Sequence, residues 1–257
     1  MIDSKLKIYL DKKVKLYNNI QFIENDPIVI PHQFSKKQDI EIAGLFAAVF
    51  AWGQRVTIIN KSNELLQRMD GKPYDFILNH SENDLKQLIG FKHRTFNDTD
   101  LLYFIHFLHS WYKSNNSLES AFLNGIKKND QTTENGLTFF RNHFFSSELA
   151  PARTKKHIPS PLQHSACKRL NMYLRWMVRK DKQGVDFGIW TGIKPHQLIC
   201  PLDVHVQKIA LQLGLLSREK ADWQAASELT NNLRKLDPAD PVKYDFALFG
   251  TGINESF

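Results

Sequence analysis

Cys167-Lys168-Arg169-Leu170-Asn171-Met172-Tyr173-Leu174-Arg175-Trp176-Met177 reads as a strongly amphipathic helix with a lysine at its start. Further along, Pro201-Leu202-Asp203-Val204-His205-Val206 sets an aspartate directly before an apolar run that ends Ala210-Leu211-Gln212-Leu213-Gly214-Leu215. That is the position of a helix N-cap. Taken singly, each residue has an ordinary reading: most lysines on helices are solvated, and most aspartates before helices only cap. Taken together they offer a chemistry. An amine that attacks carbon must be neutral, and a lysine ordinarily titrates at about 10.4. A place at the positive end of a helix, in apolar company, favours the neutral form. A carboxylate held in direction by backbone N–H groups would stabilise positive charge at the attacked carbon and take up the amine's proton.

Outward from these two segments the chain reads as all-α. No period-2 stretch is long enough for a strand. An amphipathic helix is expected from about Ser4 to Glu24, and the proline-bounded segment Asp26–His32 is expected to be an extended connection. The next helix carries Ile40, Ile42, Ala43, Leu45, Phe46, Ala47, Val49 and Phe50, apolar nearly all round, so it belongs at the centre of the core, with Gly53 ending it. Helical periods continue over Val56–Met69, Asp84–Ile89, Asp98–Tyr112, Ser117–Leu123 and Thr133–Phe145. Residues 146–164 and 181–200 read as irregular. A helix follows over Glu219–Lys235, and a last one starts at Asp240-Pro241, an N-cap with proline at the first helical position, and runs to Gly250.

Composition sets the class. The chain has 257 residues with 42% hydrophobic and 24% charged side chains, an ordinary balance for a globular protein with a real core. No apolar run is long enough to span a bilayer, and Met1-Ile2-Asp3-Ser4-Lys5 lacks the apolar core of a signal peptide, so no membrane association and a cytoplasmic location are expected. Cys167 and Cys200 are too few for a disulfide framework or a four-thiolate cluster and read as small buried hydrophobes. The net charge of +7 favours a polyanionic partner, although the lysine pairs, Lys12-Lys13, Lys36-Lys37, Lys127-Lys128 and Lys155-Lys156, are scattered. His106 and His109 have helical i, i+3 spacing, but no third ligand is in sight, so no metal site is expected.

The lysine and aspartate segments resemble the active-site signature of the helix-hairpin-helix DNA glycosylase superfamily, which includes endonuclease III, the adenine glycosylases and the 8-oxoguanine glycosylases. The segment Pro201 to Val206 with Ile209-Ala210 and Leu213-Gly214-Leu215 is the most specific piece. Lys168-Arg169-Leu170-Asn171 occupies the place of the catalytic lysine. Phe50-Ala51-Trp52-Gly53-Gln54 is similar to the early segment whose glutamine meets DNA at the lesion. Ile89-Gly90-Phe91 with Arg94 is similar to the middle segment, and Tyr244 to Gly250 to the final helix. The overall pattern is also similar to a bacterial family of hypothetical proteins, which supplies no activity.

The resemblance implies a two-subdomain fold with the active site in the cleft between them. Residues 31–195 would form a helical-barrel subdomain with the hairpin and Lys168. Residues 1–30 with 196–257 would form a second subdomain carrying Asp203. It implies a base-excision N-glycosylase with abasic-site lyase activity, in which Lys168 and Asp203 are catalytic and no cofactor is needed. The partner would be double-stranded DNA with a damaged base, bound by a monomer. Gln54, Arg55, His164 and Ser165 are the implied DNA contacts. Trp52, Phe187 and Trp190 are candidates for the pocket of a flipped base, though the latter two would equally anchor a long loop to the core. There are three departures from the pattern. The hairpin turn Pro161-Leu162-Gln163-His164-Ser165-Ala166-Cys167 has no glycine, which puts its phosphate and monovalent-cation contacts in doubt. The interval from Lys168 to Asp203 is longer than in endonuclease III, as in an archaeal 8-oxoguanine glycosylase branch, so an oxidised purine such as 8-oxoguanine is the implied substrate. The iron–sulfur cysteines of endonuclease III are absent after Gly250, so no cluster is expected. Two other classes compete: a non-catalytic DNA- or RNA-binding helical protein that retains the glycosylase fold, and a helical scaffold unrelated to nucleic acid.

Overall fold

The computed structural model describes residues 4–255. Met1 to Asp3, read above for a leader, and Ser256 and Phe257 lie outside the described residues. The chain is mostly helical. In order come α1 (Ser4–Tyr17), α2 (Gln21–Glu24), α3 (Lys37–Phe50), α4 (Arg55–Arg68), α5 (Pro73–Asn79) and α6 (Glu82–Lys86). A small antiparallel hairpin, β1 (Lys92–His93) and β2 (Phe96–Asn97), leads into α7 (Asp98–Tyr112). Then follow α8 (Glu119–Leu123), α9 (Glu134–Phe144), α10 (Lys168–Val178), α11 (Val204–Gln212), α12 (Trp223–Leu236) and α13 (Asp245–Asn254).

The local chemistry explains most boundaries. The long N-terminal helix that the period predicts is broken at Asn18-Asn19. The Asn19 side chain donates to the Leu16 carbonyl and accepts the Gln21 N–H at 2.9 Å, satisfying backbone groups outside the helix. The segment Asp26–His32 is not extended. Prolines at the first position start two 3-10 turns, Pro27–Val29 and Pro31–Gln33, and Asp26 caps the first by accepting the Ile28 N–H at 3.0 Å. Asp240 does not cap the last helix either. Its carboxylate is taken by Arg179, and Pro241–Tyr244 is a 3-10 turn before α13, which continues past Gly250 to Asn254.

α3 is the central element, with every residue from Ile40 to Phe50 buried. It packs on α4, α5 and α10. Contact with α10 is close at Gly44, where a Cβ would lie 2.7 Å from Met177 Cε. A second group forms where α1 and α11 pack on α13. The apolar residues of both groups join in one continuous core. α10 and the start of α11 meet where the groups adjoin.

The loop after α10 is fastened to it. The Phe187 and Trp190 N–H groups donate to the Trp176 and Met177 carbonyls at 2.8 and 2.9 Å, closing the helix C-terminus. Trp190 is buried, and its indole N–H donates to Glu41 Oε1 at 2.6 Å. No helix among the described residues is long and apolar enough to cross a membrane.

Candidate active site

Lys168 is the first residue of α10, and Asp203 caps α11. Asp203 Oδ1 accepts both the His205 and the Val206 N–H at 2.9 Å, so the carboxylate is locked in place. Its other oxygen, Oδ2, lies 3.8 Å from Lys168 Nζ. The two side chains are 28% and 18% exposed, reachable but sheltered.

Both line a cavity of about 150 Å³ at the junction of the two helix groups, a size that accommodates a single aromatic ring. Its apolar wall comes from Phe22, Pro27, Ile58, Met172 and Phe249, and its polar side from Asp26, Arg55, Arg175, His205 and Asp245. Arg55 lies over the Phe249 ring at 5.2 Å.

Behind the lining residues Arg175 and Asp245 runs a network of largely buried charge. Arg175 pairs with Asp186 at 3.2 Å and with Asp245, and Arg179 pairs with Asp181, Asp186 and Asp240. Burial pushes the Asp245 carboxyl up to about 6, against the pull of Arg175. Burial also raises Asp26, with the Ile28 N–H, Arg175, Arg55 and Lys168 acting the other way. The sequence reading did not find Asp26, Arg175 or Asp245 as site residues. Locally each has an ordinary role: a turn cap, a member of an amphipathic helix, a first-turn acid.

The other expected residues divide. Arg55 reaches the cavity; Gln54 is exposed beside Gly53, which lines it. Trp52, Phe187 and Trp190, expected in a base pocket, are not among the lining residues. Trp52 is half-buried beside two guanidinium groups, Arg94 at 4.7 Å and Arg169 at 6.0 Å from its ring centre. Phe187 stacks on His32 at 4.3 Å, and Trp190 is drawn into the core by Glu41. Both anchor the loop.

His164 and Ser165 lie in the turn before α10, away from the cavity lining. The turn forms without glycine. His164 and Cys167 take the left-handed conformation, with φ of 57° and 49°. The His164 carbonyl accepts the Trp223 N–H at 3.2 Å and Ser165 bridges to Asp222, so the turn is docked on the start of α12. Cys167 and Cys200 are buried and free, as expected of two cysteines too few for a framework. His109 Nδ1 lies 2.7 Å from the Ile77 carbonyl oxygen, while His106 is exposed. Among the described residues no group of three or more His, Cys, Asp or Glu is arranged to hold a metal ion.

A family model matches residues 26–254, nearly the whole chain. The chain belongs to the DUF2400 family. DUF2400 is described as a protein of unknown function. The DUF2400 match includes every cavity-lining residue except Phe22. No curated protein and no solved structure matches the chain.

Proposed function

We propose that this protein is a DNA N-glycosylase with abasic-site lyase activity, acting on an oxidised purine such as 8-oxoguanine. The observation that carries the reading is the approach of Lys168 Nζ to Asp203 Oδ2 at 3.8 Å in the wall of a ring-sized cavity. On this reading the fold is that of the helix-hairpin-helix glycosylases. Residues 31–195 and residues 1–30 with 196–257 are its two subdomains, and the cavity lies in the cleft between them.

The chemistry follows from the pair. A flipped nucleotide enters the cavity, and the Lys168 amine attacks its sugar C1′. Positive charge develops on the sugar as the bond to the base breaks, and the fixed Asp203 carboxylate stabilises it. The covalent product opens to a Schiff base, from which the strand is cut by β-elimination. The oxidised-purine assignment rests on the long interval between Lys168 and Asp203.

Borohydride trapping tests this. With duplexes carrying an abasic site or 8-oxoguanine, wild type should give a covalent protein–DNA band that Lys168→Gln abolishes. Asp203→Asn should lower base release while DNA binding persists. No band on the abasic duplex would refute the lyase. A second reading, a nucleic-acid binder without chemistry, draws on the glycine-free turn at His164. It predicts no adduct and an affinity that Lys168→Gln barely changes.

A further inference from the structure

Three carboxyls line the cavity with Lys168, and two of them are fully engaged. Asp203 has one oxygen on two backbone N–H groups and the other toward the lysine. Asp245 is bound to Arg175. Asp26 differs. It is 7% exposed, its Oδ1 accepts the Ile28 N–H, and among the described residues no cation lies within ion-pair distance of it. Behind the cavity, the buried or half-buried Asp181, Asp186 and Asp240 each pair with Arg175 or Arg179. An unpaired carboxyl that is nine-tenths buried and lines a ligand-sized cavity costs stability, and such a cost is commonly met at functional sites.

We propose that Asp26 is the general acid that protonates the departing base. The proposal rests on the glycosylase reading and adds to it the group that handles the leaving base. Burial raises the Asp26 carboxyl, so it keeps its proton further toward neutral pH than a solvated aspartate does.

The step balances. The lone pair of Lys168 Nζ forms a bond to C1′, and the C1′–N bond breaks with its electron pair going to the base. The Asp26 O–H proton moves to a ring nitrogen of the base, which leaves neutral, and Asp26 is left as a carboxylate. The extra proton on Nζ passes to the Asp203 carboxylate. The substrate class implied is a base that leaves poorly as an anion and carries an acceptor ring nitrogen. Asp26 acts only while a base is present. Attack on an abasic site, which has no base to expel, does not need it.

That distinction supplies the test. Asp26→Asn keeps an acceptor for the Ile28 N–H, so the turn is preserved. Wild type, Asp26→Asn and Asp26→Glu are compared in two assays. One is borohydride trapping on an abasic duplex. The other is base release from duplexes with 8-oxoguanine or hypoxanthine, each of which carries an acceptor ring nitrogen. Asp26→Asn should trap the abasic site within about twofold of wild type and release base about 10²–10⁴-fold more slowly, the range of general-acid catalysis. Asp26→Glu should recover part of the loss. Base release by Asp26→Asn at the wild-type rate overturns the proposal. An equal loss in both assays also overturns it, because Asp26 would then only position Lys168. So does a wild type that traps the abasic site but releases neither base. A wild type that forms no abasic adduct fails at the earlier step: the Lys168 lyase reading falls, and the proposal, which rests on attack by Lys168, falls with it.

Discussion

At the scale of single residues, the cavity floor is where charge and burial conflict, and that has a measurable consequence. Asp245 titrates at about 6 in the folded chain because burial disfavours its anion more than Arg175 restores it. An unfolded aspartate titrates at about 3.9. Between those values the folded state binds more protons than the unfolded state, so this carboxyl's contribution to stability falls as pH rises from about 4 to about 6. Urea unfolding of wild type and Asp245→Asn across that window isolates the effect. The advantage of wild type should shrink as pH rises, and an advantage that grows would show that Asp245 is held as a carboxylate. Glu41 is the opposite case, a buried side chain whose two oxygens are fully used. Oε1 accepts from Ser117 and Trp190, and Oε2 from Tyr112 and the Leu118 N–H. Hydroxyls can rotate, but an indole N–H and a backbone N–H cannot. Either orientation of the amide in Glu41→Gln therefore turns an N–H against a fixed donor. A loss of about 1.5–3 kcal/mol is expected, the worth of a hydrogen bond to a charged group, read as a lower denaturation midpoint.

At the scale of elements, helices with a long unbroken buried face were legible from sequence. α7 spans Asp98–Tyr112 as its three/four spacing of Leu101, Ile105, Leu108 and Tyr112 predicts, and α3 lies where an all-round apolar helix must. α5, which begins at Pro73 directly after the Gly71-Lys72 turn, was not read as a helix, and the two-residue strands of the small hairpin have no alternation to read. Lys168 and Asp203 were legible because a helix start and a cap are local features. Asp26, Arg175 and Asp245 were not, since only long-range packing brings them to one cavity. Trp190 shows the converse: lying in sequence between two site segments says nothing about direction, and a buried carboxylate on α3 turned it inward. The turn before α10 invites a test at this scale. A left-handed backbone costs a residue with a side chain about 1–2 kcal/mol. His164 is exposed, so His164→Gly leaves the core packing intact, and the gain is reduced only by glycine's greater freedom in the unfolded chain. A net stabilisation of about 0.5–1 kcal/mol is expected on thermal unfolding. Cys167 is buried, and the same change there should lose in packing what it relieves in backbone.

At the scale of the whole molecule, one of the scattered lysine pairs, Lys155-Lys156, joins Lys92 and Arg94 in a local cluster of positive charge. Asp100, fully buried at the start of α7, binds Arg153 and accepts the Thr154 hydroxyl proton at 2.7 Å. Arg153 also donates to the Thr95 carbonyl at 3.0 Å, and Arg169 reaches the Lys156 carbonyl at 3.4 Å and the Val49 carbonyl at 2.6 Å. These bonds hold the segment with Lys155 and Lys156 beside the small hairpin with Lys92 and Arg94, and both beside Trp52. A Cβ at Gly53, whose φ is 114°, would lie 2.5 Å from Arg94, so the loop that carries Gln54 packs directly on this cluster. Gly53 lines the cavity, so Arg94 stands beside its rim, and Lys92, Lys155 and Lys156 are exposed in the cluster around Arg94 and Trp52. On the glycosylase reading proposed above, a phosphate backbone bound at this cluster would release counterions, about 0.9 for each phosphate neutralised on duplex DNA. Replacing Arg94, Lys155 and Lys156 together with glutamine should weaken duplex binding uniformly across sequences. It should also reduce the slope of log affinity against log salt by up to about 3, roughly one for each phosphate no longer neutralised. These residues do not line the cavity, so borohydride trapping at saturating abasic DNA should survive the triple change. An unchanged slope would place the DNA path elsewhere on the surface. Failure to form the adduct at saturation would mean that the cluster supports the Lys168 helix through Arg169 and does not act as a phosphate track.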